Sequence, residues 1–415
     1  MGGALSGIRV LDLSRILAGP YCTQTLADLG AEVWKVEAPW GDDTRRWGPP
    51  FSGEESAYYL ATNRGKKGLA VDLRQSAGQT LVRELSTRAD VLVENFKVGD
   101  LQRYGLDYEN LSRGNPRLIY VSITGYGHSG PRAEEAGYDA ALQAMTGLMS
   151  ITGEPDGSPM KLGVAWIDVL TGLSAAFAVV TALLERERSR MGQWIDLSLY
   201  EVGLAALVNQ AQGYLLDGEV PQRQGTGHPQ IVPYQAFAAS DGWFVVAVGN
   251  DAQFARLAAL LERSWLAEDA RFATNASRVA NRAALVSQLA ESFAGGNKEQ
   301  WIARCRAAGI PAAPVNTVAD AFTDPQVGAR NAIWTLLRPE LPPLAMPASP
   351  FQHFSRTPAH AELPPPRLGE HTAEVLGKVL GRSPGEVAAL AAAGVVVVAP
   401  ERDLSGRHCE AARQT

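Results

Sequence analysis

Three cysteines in 415 residues, Cys22, Cys305 and Cys409, are too few, too widely spaced and odd in number for a disulfide framework or a metal cluster. No metal site is expected on this count. The chain also lacks any run of roughly 18 uncharged apolar residues, so no membrane span is expected. The nearest approach, residues 164–184, is interrupted by Asp168 and closed by Glu185-Arg186-Glu187-Arg188. A signal peptide is missing too, because Gly7-Ile8-Arg9-Val10-Leu11-Asp12-Leu13 already reads as a strand, and a cytoplasmic location is expected. Positive charge is in deficit: 38 Lys and Arg stand against 44 Asp and Glu, a net −6 that argues against a nucleic-acid partner. The opening strand-loop-helix corner, residues 9–37, carries no GxGxxG, which argues against an ordinary nicotinamide site there.

What is present is an ordinary globular composition, 46% hydrophobic and 20% charged, over a length that calls for more than one core. Arg9 to Leu13 reads as a strand running through the small-residue turn Ser14-Arg15-Ile16-Leu17-Ala18-Gly19-Pro20 into a helix near Tyr21. Glu32-Val33-Trp34-Lys35-Val36-Glu37 is a second strand, so the opening is β-α-β and predicts a parallel sheet. Strands ending at Leu73, Val93 and Ile123, separated by helical stretches, extend this into an α/β doubly wound unit with Rossmann-like topology. Arg45, Arg46, Arg64, Lys66, Lys67 and Arg74 cluster where the chain looks irregular, and suit either a phosphate site or a solvated face. The Gly-, Pro- and Gln-rich residues 217–233 mark a domain boundary before a smaller α/β unit.

One residue stands out. In Gly163-Val164-Ala165-Trp166-Ile167-Asp168-Val169-Leu170, a lone carboxylate sits among apolar side chains, where an unpartnered ion is costly. On this stretch alone Asp168 suits an N-cap to the apolar run that follows better than it suits a nucleophile, caps being far commoner. His128 and His228 lie in glycine-rich loops and read as hydrogen-bonding residues rather than bases. Cys22 falls in an apolar helix whose burial raises a thiol pKa.

Taken in order, Leu11-Asp12-Leu13-Ser14-Arg15-Ile16-Leu17-Ala18-Gly19-Pro20, Gly30-Ala31-Glu32-Val33-Trp34-Lys35-Val36-Glu37, Val93-Glu94-Asn95-Phe96, Ile123-Thr124-Gly125-Tyr126-Gly127, Gly137-Tyr138-Asp139, Asp168 and Leu368-Gly369-Glu370-His371-Thr372 resemble the family III CoA-transferases. That family also holds formyl-CoA transferase, carnitine CoA-transferase and α-methylacyl-CoA racemase. The resemblance covers residues 5 to about 397. Gly41-Asp42-Asp43-Thr44-Arg45, Trp47-Gly48-Pro49-Pro50-Phe51 and Ile231-Val232-Pro233-Tyr234-Gln235-Ala236-Phe237 look closest to its succinyl-CoA:glutarate branch.

The resemblance implies a large Rossmann-like CoA-binding domain over residues 1–215, completed by 330–397, with a linker and small α/β domain at 216–329 and a disordered tail at 398–415. It also implies an interlocked homodimer. Asp168 becomes the nucleophile that carries CoA as an aspartyl thioester from succinyl-CoA, or a similar donor, to a small dicarboxylate such as glutarate. No cofactor is expected to be held permanently, coenzyme A thioester being the substrate. The family's CoA contacts fall on Leu17, Ala18, Asp72, Leu73, Arg74, Asn95, Phe96, Lys97, Arg103, Tyr138 and Asp139. Two departures matter: Ala38 replaces the Arg of formyl-CoA transferase, and Gly225-Thr226-Gly227-His228 replaces its glycine run. An α-methylacyl-CoA racemase or a formyl-CoA:oxalate-type transferase remains an alternative. Racemisation needs two positioned acid/base groups, and Tyr138 stands where the racemases have a His.

Overall fold

The computed structural model describes residues 2–338 and 341–400, so Cys409 and the tail expected at 398–415 lie, from residue 401 on, outside the described residues. Two compact units emerge among the described residues, one of residues 2–146, 164–206, 331–338 and 341–400, the other of residues 147–163 and 207–330.

The first unit is built on a sheet of β1 (Arg9–Asp12), β2 (Glu32–Glu37), β3 (Lys66–Val71), β4 (Val91–Glu94), β5 (Ile119–Thr124), β6 (Trp194–Ser198) and β7 (Val396–Val397), in the order β7-β3-β2-β1-β4-β5-β6. All neighbours are parallel except β7, which runs antiparallel to β3 at the edge. β4 and β5 are buried along their whole length, which is why Val91-Leu92-Val93 and Ile119-Tyr120-Val121 are continuous apolar stretches rather than alternating ones. Leu11, Trp34, Leu69 and Leu92 pack with Leu81, Val82 and Leu85 of helix Ser76–Ser86 and with Val375 and Leu376 of helix Thr372–Leu380. The chain winds outward from β1 in both directions, so the loops after β1 and β4 part and leave a crevice at the carboxyl ends of the strands.

Two helices frame that crevice, α1 (Ala18–Asp28) and α2 (Trp166–Ser189). They pack closely because Gly172 has no side chain: a Cβ there would stand 2.6 Å from the Ala18 carbonyl oxygen. Ile167, Thr171, Ala175, Val179 and Ala182 form the buried stripe of α2, while Phe177, Val180 and Leu184 are exposed. By length and composition alone α2 would suffice to cross a membrane, but its buried stripe is a core surface of this unit.

The basic cluster divides: Arg46 and Arg74 are about two-thirds exposed, whereas the other four are drawn into contacts within the fold. Arg64 is buried against Asp28, at 2.6 Å, and Lys67 bridges Glu32 and Glu374. Arg45 is bound to Glu37, Tyr59 and the Pro366 carbonyl. Lys66 is wholly buried, with its ammonium 3.1 Å from Asp12 and 2.9 Å from the Pro20 carbonyl. Lys35 is equally buried and reaches Asp42 at 3.2 Å and the Ser14 carbonyl at 3.0 Å. Burial alone would raise Asp12, but Lys66, Lys35 and the hydroxyls of Ser14 and Thr23 hold it below the usual carboxylate range. Burial pushes Lys66 down to about 8 against the pull of Asp12. Buried cations of this kind need partners inside the protein, and hydropathy does not reveal where those partners are.

The second unit carries a three-stranded antiparallel sheet, Ala312–Pro314, Gly242–Ala247 and Tyr234–Ala239. Phe237, Phe244, Phe254, Phe293 and Trp301 fill its core. Its extent differs from the expected 216–329. Helix Val208–Asp217 belongs to it, and so does the excursion 147–163, where Arg223 donates to the carbonyls of Glu154 and Gly157 and Gly225 donates to that of Gly153. Backbone hydrogen bonds, not apolar patterning, join these segments, which is why composition placed the boundary later in the chain.

Candidate active site

Above β1 and β4 the crevice divides into two adjoining cavities that share Arg15, Asp43 and Phe96. The first, about 160 Å³, is walled by Leu17, Ala18, Asn95, Lys97, Tyr138 and Asp168. The second, about 300 Å³, lies at the ends of β2 and β3 and is bounded by Trp40, Asp72, Leu73, Arg74 and Tyr104. All the residues predicted for the site therefore line one cavity or the other, except two. Arg103 is exposed, pairs with Asp100 and lines neither cavity. Asp139 is buried behind the wall.

Asp139 explains Asp168. Helix α2 begins at Trp166, its flanking Ala165 offers no side-chain cap, and Asp168 sits inside the first turn rather than at the N-cap. The cap comes from elsewhere: one Asp139 carboxylate oxygen accepts the amides of Ile167 (2.8 Å) and Asp168 (3.2 Å), and the other accepts Gln143 Nε2 (2.6 Å). The Asp168 carboxylate is thereby free of capping, and among the described residues it has no hydrogen-bond or ion-pair partner. A first-turn position favours an anion through the helix dipole. Burial and then the charge of Asp139 outweigh that and push Asp168 up to about 7.

The loop opposite is fixed in place. Asn95 accepts the Arg15 amide at 2.9 Å and donates to the Arg15 carbonyl at 2.7 Å, tying the β1 loop to the β4 loop. Ile16 has φ 71°, an outlying conformation for a β-branched residue, and its amide is held by the Asp42 carboxylate at 3.2 Å. Asp42 is itself neutralised by Lys35, so the buried ion pairs below the crevice support its floor. Across the second cavity Arg74 forms a two-point contact with Asp72, at 2.9 and 3.0 Å, which holds Asp72 down at about 2, and stacks over Trp40 at 4.5 Å.

Three participants escaped sequence reasoning. Trp47 lines the first cavity and meets Tyr58 edge-on at 5.4 Å; burial, then the charges of Asp168, Asp139 and Asp42, push the Tyr58 phenol up to about 12. Glu94, buried at the end of β4, accepts the Phe96 amide at 2.8 Å and so shapes the turn that presents Asn95, Phe96 and Lys97; burial pushes it up to about 7. Trp47 and Glu94 lie within quoted motifs, but their function depends on contacts that spacing cannot supply.

The remaining candidates occupy other places. His128 stands edge-on to Trp194, with its amide on Asp196. His228 stacks on Tyr234 in the second unit, and His371 Nδ1 accepts the Gly68 amide. Cys22 is fully buried, and its thiol is pushed far up by that burial.

The sequence profile described as CoA-transferase family III matches residues 5–372. The chain belongs to that family. It is 47% identical over 382 residues to the succinate–glutarate CoA-transferase of Agrobacterium fabrum, covering 90% of this chain and 95% of the relative. The succinyl-CoA:glutarate CoA-transferase of Homo sapiens is 41% identical, with 94% and 90% covered. Among solved structures, a CAIB/BAIF family protein from Brucella suis superposes with a TM-score of 0.82 at 47% identity, covering 91% of this chain and 100% of that one. The crevice is thus the candidate site of a family III CoA-transferase, an enzyme.

Proposed function

We propose that this CoA-transferase moves coenzyme A from succinyl-CoA to glutarate, or to a similarly small dicarboxylate, through an aspartyl thioester on Asp168. The observation that carries the reading is the unengaged Asp168 carboxylate, facing a cavity walled by the residues that the family resemblance assigns to CoA. The names of the similar enzymes support the donor and acceptor.

In the first step an Asp168 carboxylate oxygen attacks the thioester carbonyl, the C–S bond breaks, and CoA leaves as thiolate, giving a mixed anhydride. The thiolate then attacks the Asp168 carbonyl of the anhydride, releasing succinate and leaving the aspartyl-CoA thioester. A glutarate carboxylate attacks that thioester and expels the thiolate. The thiolate attacks the glutaryl carbonyl, forming glutaryl-CoA and regenerating the Asp168 carboxylate. Each intermediate keeps the acyl group activated, so no ATP is consumed. Burial deprives the Asp168 anion of solvation, which lowers the cost of using it as a nucleophile.

Coenzyme A enters as substrate, with no cofactor held between turnovers. The enzyme works in the cytoplasm as a homodimer of interlocked chains. The exposed Phe177, Val180 and Leu184 on α2, and Leu215, Leu216 and Val220 in the second unit, are apolar surface for a second copy to cover. The test of function is purified protein with succinyl-CoA against a panel of mono- and dicarboxylates, read as new thioesters by mass spectrometry. Glutaryl-CoA should dominate; absence of any new thioester refutes the transferase reading.

A further inference from the structure

Resting on the dicarboxylate reading, we propose that Arg15 recognises the distal carboxylate of the substrate, with Asp43 as the stand-in that the substrate displaces. A transferred dicarboxylate has one carboxyl at Asp168 and a second, charged one that needs a partner within the same cavity. Arg74, on the adjoining cavity, is already held at two points by Asp72; three other arginines near the crevice could supply it, and the structure separates them. Arg45 is spent: its guanidinium is mostly buried, gives both arms to Glu37 at 2.8 and 2.7 Å, and also donates to Tyr59 and the Pro366 carbonyl. Arg46 is 67% exposed and lines neither cavity. Arg15 alone of the three lines the cavity that holds Asp168.

The contacts of Arg15 suit the task. Its backbone is clamped on both sides by Asn95, and the next residue is held in a left-handed conformation by Asp42, so the base of the side chain is preorganised. Its guanidinium is not. Among the described residues its one ion pair is a single contact with Asp43 at 3.4 Å, with the two side chains 55% and 42% exposed. Asp43 also lines the cavity and divides its charge with Arg46 at 3.5 Å. An exposed, one-armed pair of this kind contributes little. A substrate carboxylate can exchange for it at little cost and meet the guanidinium fork with both oxygens. Succinate and glutarate occupy the same acyl position by turns, so Arg15 acts in both half-reactions.

Lys97 also lines this cavity, and the experiment separates the two cations through the acceptor. Glutarate is compared with pentanoate, which has the same chain length and lacks the distal charge; pentanoate is followed as acceptor or, where it is not turned over, as competitive inhibitor. For Arg15→Gln the KM for glutarate should rise about 10- to 100-fold with a smaller change in kcat, while the constant for pentanoate moves far less. Arg15→Lys should fall between, and Asp43→Asn should lower the glutarate KM. Equal losses for both acids, or no change for either, would overturn the assignment, as would finding this selectivity loss in Lys97→Met and not in Arg15→Gln. Native enzyme that transfers CoA to no acid at all would instead refute the underlying reading.

Discussion

Asp168 shows how one carboxylate is kept both half-buried and unengaged: the neighbouring Asp139 caps the helix in its place. Asp168→Ala should abolish transfer while the circular dichroism spectrum stays native, and Asp168→Asn should be almost as inactive; transfer at more than a trace in either variant would remove the nucleophile assignment. Asp168 sits near 7 in the folded chain and at 3.8 unfolded, so the folded state binds its proton more tightly. Ionising it therefore costs stability, increasingly as pH rises from the unfolded value and fully above the folded one. Asp168→Asn should melt above the native protein at pH 8, and the margin should shrink as pH falls from about 7 toward about 4. The same ionisation should appear as a rise in kcat/KM with pH through about 7 for the free enzyme. Tyr138, 66% exposed on the cavity wall, replaces the second acid/base group that a racemase requires. No exchange of the α-proton of 2-methylacyl-CoA with deuterated water is expected where CoA transfer is readily seen; exchange at a comparable rate without any acceptor acid would favour the racemase.

At the scale of elements, the crevice depends on a close helix contact and a buried ion pair. Gly172→Ala should force α1 from α2, because the added Cβ meets backbone at 2.6 Å; a loss of about 1–3 kcal/mol is expected from denaturant unfolding, together with reduced transfer because Ala18 walls the cavity. Lys66→Met removes the ion-pair partner of Asp12 and leaves its buried charge to the Ser14 and Thr23 hydrogen bonds and the more distant Lys35, so it should cost about 3–5 kcal/mol, whereas the double variant Lys66→Met, Asp12→Leu should recover part of it; equal losses in the single and double variants would mean that the pair is not coupled. The strands of the central sheet could be read from the sequence because each is a short apolar run between turn residues. The two-residue β7 could not, since Val396 and Val397 become a strand only by pairing with Val71 and Ala70. Lys66 reads as one member of a basic cluster for the same reason: its partner Asp12 is distant in sequence.

For the whole molecule, the motifs between Leu11 and Thr372 conveyed the family, and the sheet order then placed most of the predicted contacts around one crevice. Arg103 stands outside both cavities, on a short helix where it pairs with Asp100. Sedimentation equilibrium should report twice the chain mass of 44.3 kDa, and a monomer would leave the exposed apolar faces unexplained. The central claim is covalent, and intact-protein mass spectrometry tests it most directly. Protein mixed with succinyl-CoA in the absence of acceptor and quenched in acid should carry the mass of CoA less water, and peptide mapping after hydroxylamine treatment should place a hydroxamate on Asp168. An unmodified mass under conditions that support turnover, or a label on any other residue, would contradict the account.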